Sequence, residues 1–229
     1  MKRRRLAGLL VGVILGLGLM VGSLWLLSKA LGERETLYRG QPVYYWMRQI
    51  SSVDPMATNE AASVFASNIL PHLTEVMFHD TNDSHLRMTL IDNLNELPGI
   101  HIYFTPAGGR RARAAGEIGD FGPVASRAVP AMLQALRSND SDIHGPIISA
   151  LGKIHVQAEE IVPLLIEYLS HEDVREYAAG ALGGYGPAAK AAVPKLLPLV
   201  QIPDKELHRA VVDALKKIDP EALPRAAVK

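Results

Sequence analysis

IGDFGPVASRAVP occupies Ile118 to Pro130, and LGGYGPAAKAAVP occupies Leu182 to Pro194, with seven of thirteen positions identical. A third copy, LGKIHVQAEEIVP from Leu151 to Pro163, keeps Gly152, Ala158, Val162 and Pro163 in register, and a truncated fourth, LKKIDPEAL, begins at Leu215. The starts lie 33, 31 and 33 residues apart. A fixed period in this range is the mark of a stacked repeat whose units cannot bury their apolar faces alone.

The segments between copies complete the unit. AMLQALRSNDSDIHGPIISA, LLIEYLSHEDVREYAAGA and KLLPLVQIPDKELHRAVVDA each read as an apolar-periodic helix, a polar turn and a second helix. The turns contain Asn139-Asp140, Glu172-Asp173 and Pro203-Asp204, which suit a break between antiparallel helices. Gly122 and Gly186 fall just past a helix, where a residue without Cβ closes the end at little cost. Pro123 and Pro187 stop the old helix and favour the start of the next. Ala125, Ala158, Ala189 and Ala222 share one aligned position and are expected where neighbouring helices approach closely. Leu133, Leu136, Leu165, Leu169, Leu197 and Val200 are expected to face the core from the first helix of each unit.

This pattern resembles the HEAT-like repeat family, particularly the short bacterial type first associated with phycobilin lyases. The residues that carry it are Gly119, Gly122, Pro123, Val129 and Pro130, then Glu172, Asp173, Val174, Arg175, Ala178, Ala181, Leu182 and Gly183, then Gly186, Pro187, Val193 and Pro194. The resemblance covers about Arg110 to Ala222. It implies an all-α fold, a right-handed α-solenoid of stacked hairpins of the HEAT-like or armadillo type, and a role as scaffold, adaptor or lyase subunit. It also implies that a turn acid and the following arginine support each other between units. Asp173 and Arg175 fit that pattern, whereas Asp142 with His144 and Glu206 with His208 put histidine in the arginine's place.

Upstream the register is harder to follow. ILPHLTEVMF reads as a first helix and HLRMTLIDNL, His85 to Leu94, as its second, with Arg87 aligned to Arg175. The next second helix begins near Arg110, so one first helix is expected to be replaced by the loop PGIHIYFTPAGGRR, Pro98 to Arg111. Tyr103, Phe104, Arg110 and Arg111 of that loop are candidate partner contacts, although its aromatics could equally tuck under adjacent helices. YRGQPVYYWMRQI places Val43, Trp46, Met47 and Ile50 on one stripe, reading as the first helix of the soluble part, and Glu33 to Tyr38 reads as linker.

The N-terminus carries a different signal. Lys2, Arg3, Arg4 and Arg5 precede Leu6 to Leu27, a run of 22 residues without a charge. At about 1.5 Å per residue a helix of that length spans roughly 33 Å, enough for a bilayer. The expected organisation is a basic cytoplasmic segment 1–5, a transmembrane anchor 6–27, a linker 28–40, divergent solenoid helices 41–109 and HEAT-like repeats 110–229. Basic residues stay on the cytoplasmic side, so the chain from Glu33 onward is expected outside the inner membrane. Cleavage after Ala30, which would leave a secreted protein, is the competing reading of Ser28-Lys29-Ala30. Gly8, Gly12 and Gly16 recur at four-residue spacing, which permits self-association of the helix.

Composition narrows the function. The chain has no cysteine, which excludes disulfides, thiolate metal sites and a cysteine nucleophile. Beyond the five basic residues that precede Glu33, 19 Lys and Arg stand against 24 Asp and Glu, a poor footprint for nucleic acid. The eight histidines show no zinc-like spacing. HDTNDSH, His79 to His85, lacks the glycine and distal glutamate of a calcium loop and reads as a solvated turn. No catalytic, cofactor or metal site is expected. What remains is a membrane-anchored extracytoplasmic scaffold that binds another exported or envelope protein through the concave surface of its second helices. Arg113, His144, Arg175, Glu176, His208 and Arg209 are the candidate contacts there. A bilin-lyase-like subunit and a purely structural envelope component are the alternatives.

Overall fold

A computed structural model describes residues 22–23, 36–81, 83–138 and 140–222. It divides into two units, residues 36–81 with 107–229, and residues 1–35 with 82–106. In chain order the helices are α1 (Val43–Ile50), α2 (Pro55–Val64), α3 (Leu70–His79), α4 (His85–Asn95), α5 (Ala107–Asp120), α6 (Val129–Ala135), α7 (Ser141–Ile154), α8 (Ala158–Tyr168), α9 (Arg175–Tyr185), α10 (Val193–Leu199) and α11 (Lys205–Ile218). The predicted span 6–27 lies outside the described residues except for Gly22 and Ser23. Among the described residues no helix is long and apolar enough to cross a membrane.

The larger unit is an α-solenoid. Second helices stack in the order α5, α7, α9, α11, while α6, α8 and α10 each pair with the second helix that follows. The hairpin before them is made by α3 with α5. This corrects the sequence reading, which paired α3 with the helix at His85 and left a first helix missing. Arg111, not Arg87, holds the repeat's arginine position, 33 residues before His144. Its Nη1 donates to the carbonyl of Asp80 at 3.2 Å, just beyond the end of α3. Residues 82–106 are therefore an insertion in the turn of the first hairpin, and their length explains why the period breaks there.

A column of small residues sets how closely the second helices pack. A Cβ on Gly119 would lie 2.7 Å from Cα and Cβ of Ala150, and one on Gly183 would lie 3.0 Å from Cα of Ala214. At Gly152 a Cβ would run into the backbone of Ala181. Each second helix thus places its alanine on the preceding helix's glycine. The column ends where the sequence changes, with Glu117 in the alanine position of the first copy and Lys216 in the glycine position of the last. Lys216 is exposed, as suits the outer face of a terminal repeat. Ala125, Ala189 and Ala222 are fully buried and Ala158 half-buried, so the expected alanine column is core, but the tightest approach is the glycine column.

The aligned residues Ile118, Leu151, Leu182 and Leu215 are all buried in one continuous core. Of the predicted core positions on first helices, Leu136, Leu165 and Leu169 are buried, whereas Leu133, Leu197 and Val200 only flank the core. Met132 and Leu196 take their places at 0% exposure. The core continues through Phe65, stacked on Phe121 with ring centroids 4.0 Å apart. A π-helical turn at Phe65–Ile69 joins α2 to α3 just before Pro71, whose ring cannot be accommodated by regular α-helical bonding. At the N-terminal edge the predicted linker gives way to a two-residue hairpin, Leu37–Tyr38 against Gln41–Pro42. Arg39 and Gly40 turn it with φ of 52° and 76°, and the buried Trp46 Nε1 donates to the Tyr38 carbonyl at 2.9 Å.

The quoted Gly-Pro copies are punctuation. Gly122 and Gly186 have φ of 59° and 54°, and each opens a 3-10 turn that leads into the next first helix. In the copy between them His155 occupies the glycine position and is held in the left-handed region at φ 39°, ψ 41°. A side chain there costs roughly 1–2 kcal/mol. His155→Gly is accordingly expected to stabilise the protein by about 1 kcal/mol in chemical denaturation.

Tyr185 and Tyr38 are two further buried anchors. Tyr185 Oη donates to the Val156 carbonyl at 2.9 Å, and burial pushes its phenol up to about 12. Burial first, and the charge of Glu117 second, push Tyr38 up to about 12. Because the folded values lie above the ordinary 10.0, both contributions are complete below that pH and are lost as pH rises toward about 12. Thermal scans should show a melting temperature that these phenols leave unchanged below pH 10 and pull down steadily above it.

Candidate protein-binding surface on the second helices

The arginine and histidine column staples each hairpin to itself. Arg175 Nε donates to the Leu169 carbonyl at 2.9 Å, and Arg175 reaches Glu172 only at 4.0 Å. His144 Nε2 lies 3.1 Å from the Ser138 carbonyl, and His208 Nδ1 lies 3.1 Å from that of Val200. All three reach carbonyls that the end of a first helix leaves without an intrahelical partner. Histidine thus does the arginine's work here, and the expected support between units is replaced by support within each. Cross-unit ties come from other pairs, Arg111 with Asp140 at 3.0 Å and Lys153 with Asp120 at 2.5 Å.

Arg110 and Arg111 are not loop residues. α5 begins at Ala107, so both lie in its first turns. Arg110 grips Asp80 through two bonds of 2.6 and 2.7 Å, and the two arginine side chains are only 16% and 15% exposed. This withdraws them from the expected set of partner contacts. Tyr103 is 85% exposed, whereas Phe104 is half-buried, with the Arg87 guanidinium 4.9 Å from its ring centroid. Arg113 is exposed beside Glu117 at 3.7 Å, and Glu176 and Arg209 are exposed.

The structure brings together residues on α7, α9 and α11 that the sequence reading did not single out. A groove of about 480 Å³ runs over these three helices, with Gly180 and Gly184 in its floor. Glu176 lies at the N-terminal end of α9, and Lys153 and Lys217 lie near the C-terminal ends of α7 and α11, so the groove grades from acidic to basic. A second depression of about 250 Å³ holds Asp142, His144, Tyr168, His171 and Asp173. Tyr177 lines both and is 46% exposed. Its ring lies over Gly145, where a Cβ would come within 2.7 Å of it. Gly145 inside α7 was the legible signal, because a helix-interior glycine needs a reason, and here the reason is the tyrosine of the next repeat.

Among the described residues no group of three or more His, Asp or Glu could hold a metal ion. The surface offers shape, one aromatic anchor and graded charge, the ingredients of protein recognition.

Comparison with curated proteins returns no match. Among solved structures, the chain is similar in fold to a chain in the complex of CpcE and CpcF of phycocyanin lyase from Nostoc sp. PCC7120. The TM-score is 0.50 at 17% sequence identity, covering 84% of this chain and 68% of that one. Residues 162–227 match the family of HEAT repeats. That segment contains α10 and α11 with most of α8 and all of α9, so the second half of the solenoid carries HEAT repeats.

Proposed function

We propose that this protein is a membrane-anchored, extracytoplasmic HEAT-repeat scaffold that binds another exported or envelope protein across its second helices. The observation that carries the reading is Tyr177, held half-exposed between two depressions by a glycine that leaves room for its ring. A rigid aromatic at the centre of a groove is the commonest form of binding hot spot. The HEAT repeats and the fold's use in a complex of two proteins lend support to a binding role. Anchoring by Leu6 to Leu27 rests on the length of its uncharged run and the basic residues before it.

The test is capture of envelope proteins by the intact chain. The triple variant Glu176→Arg, Arg209→Glu and Lys217→Glu should lose the captured protein with circular dichroism unchanged, and full retention would remove this surface from the proposal. Protease access in intact and permeabilised cells tests the topology separately. The fold neighbour also motivates a lyase-subunit reading, which a pigment-transfer assay showing turnover would establish over the scaffold reading.

A further inference from the structure

The smaller unit contains an apolar face that its own fold does not cover. Leu86 and Leu90, one helical turn apart on α4, are 76% and 50% exposed. Leu97, three turns beyond Leu86, continues their line at 44% exposure. Asp92 and Glu96 fall on the other side of the helix, so the segment is amphipathic. Tyr103 extends the apolar set at 85% exposure, and its placement is built in. The Asn95 side chain holds Ile102 by both backbone groups, Nδ2 donating to the carbonyl at 3.1 Å and Oδ1 accepting from the amide at 2.7 Å. Ile102 is buried as a result, and the next side chain faces out. Packing of the Arg87 guanidinium over Phe104 fixes the residue after that.

Contiguous exposed leucines beside a fixed tyrosine mark an interaction surface. This unit groups with residues 1–35, the part of the chain that holds the uncharged run Leu6 to Leu27. We infer that α4 and the loop after it lie in the interface of the lipid bilayer, with Leu86, Leu90 and Leu97 toward the acyl chains and Tyr103 at headgroup level. The inference rests on the reading of Leu6 to Leu27 as a membrane anchor. Residues 82–106 hold three acidic residues and one arginine, so the contact is hydrophobic and does not call for anionic lipid. The insertion in the first hairpin is thereby a second point of attachment to the membrane.

Because the chain has no cysteine, one introduced thiol is a unique labelling site. The full chain carrying Leu90→Cys, Tyr103→Cys or, as a control, the exposed solenoid position Lys195→Cys is labelled with the fluorophore NBD. Each is reconstituted into phosphatidylcholine vesicles that contain brominated acyl chains. Quenching at 90 and 103 with none at 195, unchanged in high salt, is the expected result. A chain that floats with the vesicles but shows no quenching at 90 and 103 overturns this inference and leaves the anchor intact. Blue-shifted but unquenched labels place the stripe against protein and overturn it equally. A chain that does not float with the vesicles overturns the anchor reading and this inference with it.

Discussion

Gly152→Ala is expected to destabilise the solenoid by about 3 kcal/mol, the upper range for forcing atoms into a filled core. The added methyl would meet the backbone of Ala181, which cannot rotate out of the way as a side chain tip could. The two helices must separate, and the buried leucines on either side, Leu151 and Leu182, lose contact with each other's layers. The series is graded by the space available. Gly119→Ala meets Ala150 at 2.7 Å and should cost nearly as much, while Gly183→Ala meets Ala214 at 3.0 Å and should cost least. Gly116→Ala provides the control, since no atom lies within 4 Å of the place its methyl would take, and it should stabilise by up to about 1 kcal/mol through helix propensity alone. Urea denaturation of the four variants decides the matter. Equal effects at 116 and 152 would mean the glycine column does not set the helix spacing.

Tyr177→Ala is expected to weaken partner binding at least about 30-fold, the effect of losing a central hot-spot aromatic of about 2 kcal/mol. The side chain is 46% exposed and covers a glycine, so its loss opens no large cavity and folding should be little affected. Tyr177→Phe should keep most of the affinity, because the ring rather than the hydroxyl fills the gap between the two depressions. Titration of the captured partner against the three proteins measures this directly. Circular dichroism and melting curves establish that the fold is unchanged.

The repeat was legible because its punctuation is chemical. Gly122, Gly186, Pro123 and Pro187 can be read as helix ends from residue type alone, and the structure places them there. The first hairpin was misread for an equally physical reason. HLRMTLIDNL has helical periodicity and an arginine at a plausible offset, and nothing local distinguishes an inserted helix from a repeat helix. Only the long-range bond from Arg111 to the Asp80 carbonyl does so. The close-approach column was similarly displaced, since Ala125 and Gly119 are both small and only their neighbours tell which one touches backbone.

The binding surface was half legible. That second helices would present it follows from the architecture, and Glu176 and Arg209 stand on it. Arg175, His144 and His208 were equally conspicuous in sequence, yet each spends its polar atoms on a carbonyl of its own hairpin. Tyr177 escaped notice because an aromatic at a helical position usually means core. Its exposure depends on Gly145 in a different helix, 32 residues away.

The most direct test of the scaffold reading is photocrosslinking in intact cells, with a photoreactive residue placed at position 177 on α9 or at position 195 on the first helix α10. A discrete crosslinked envelope protein from 177 and none from 195 is the predicted result. Crosslinks from 195 with none from 177 would contradict the assignment of the binding surface to the second helices.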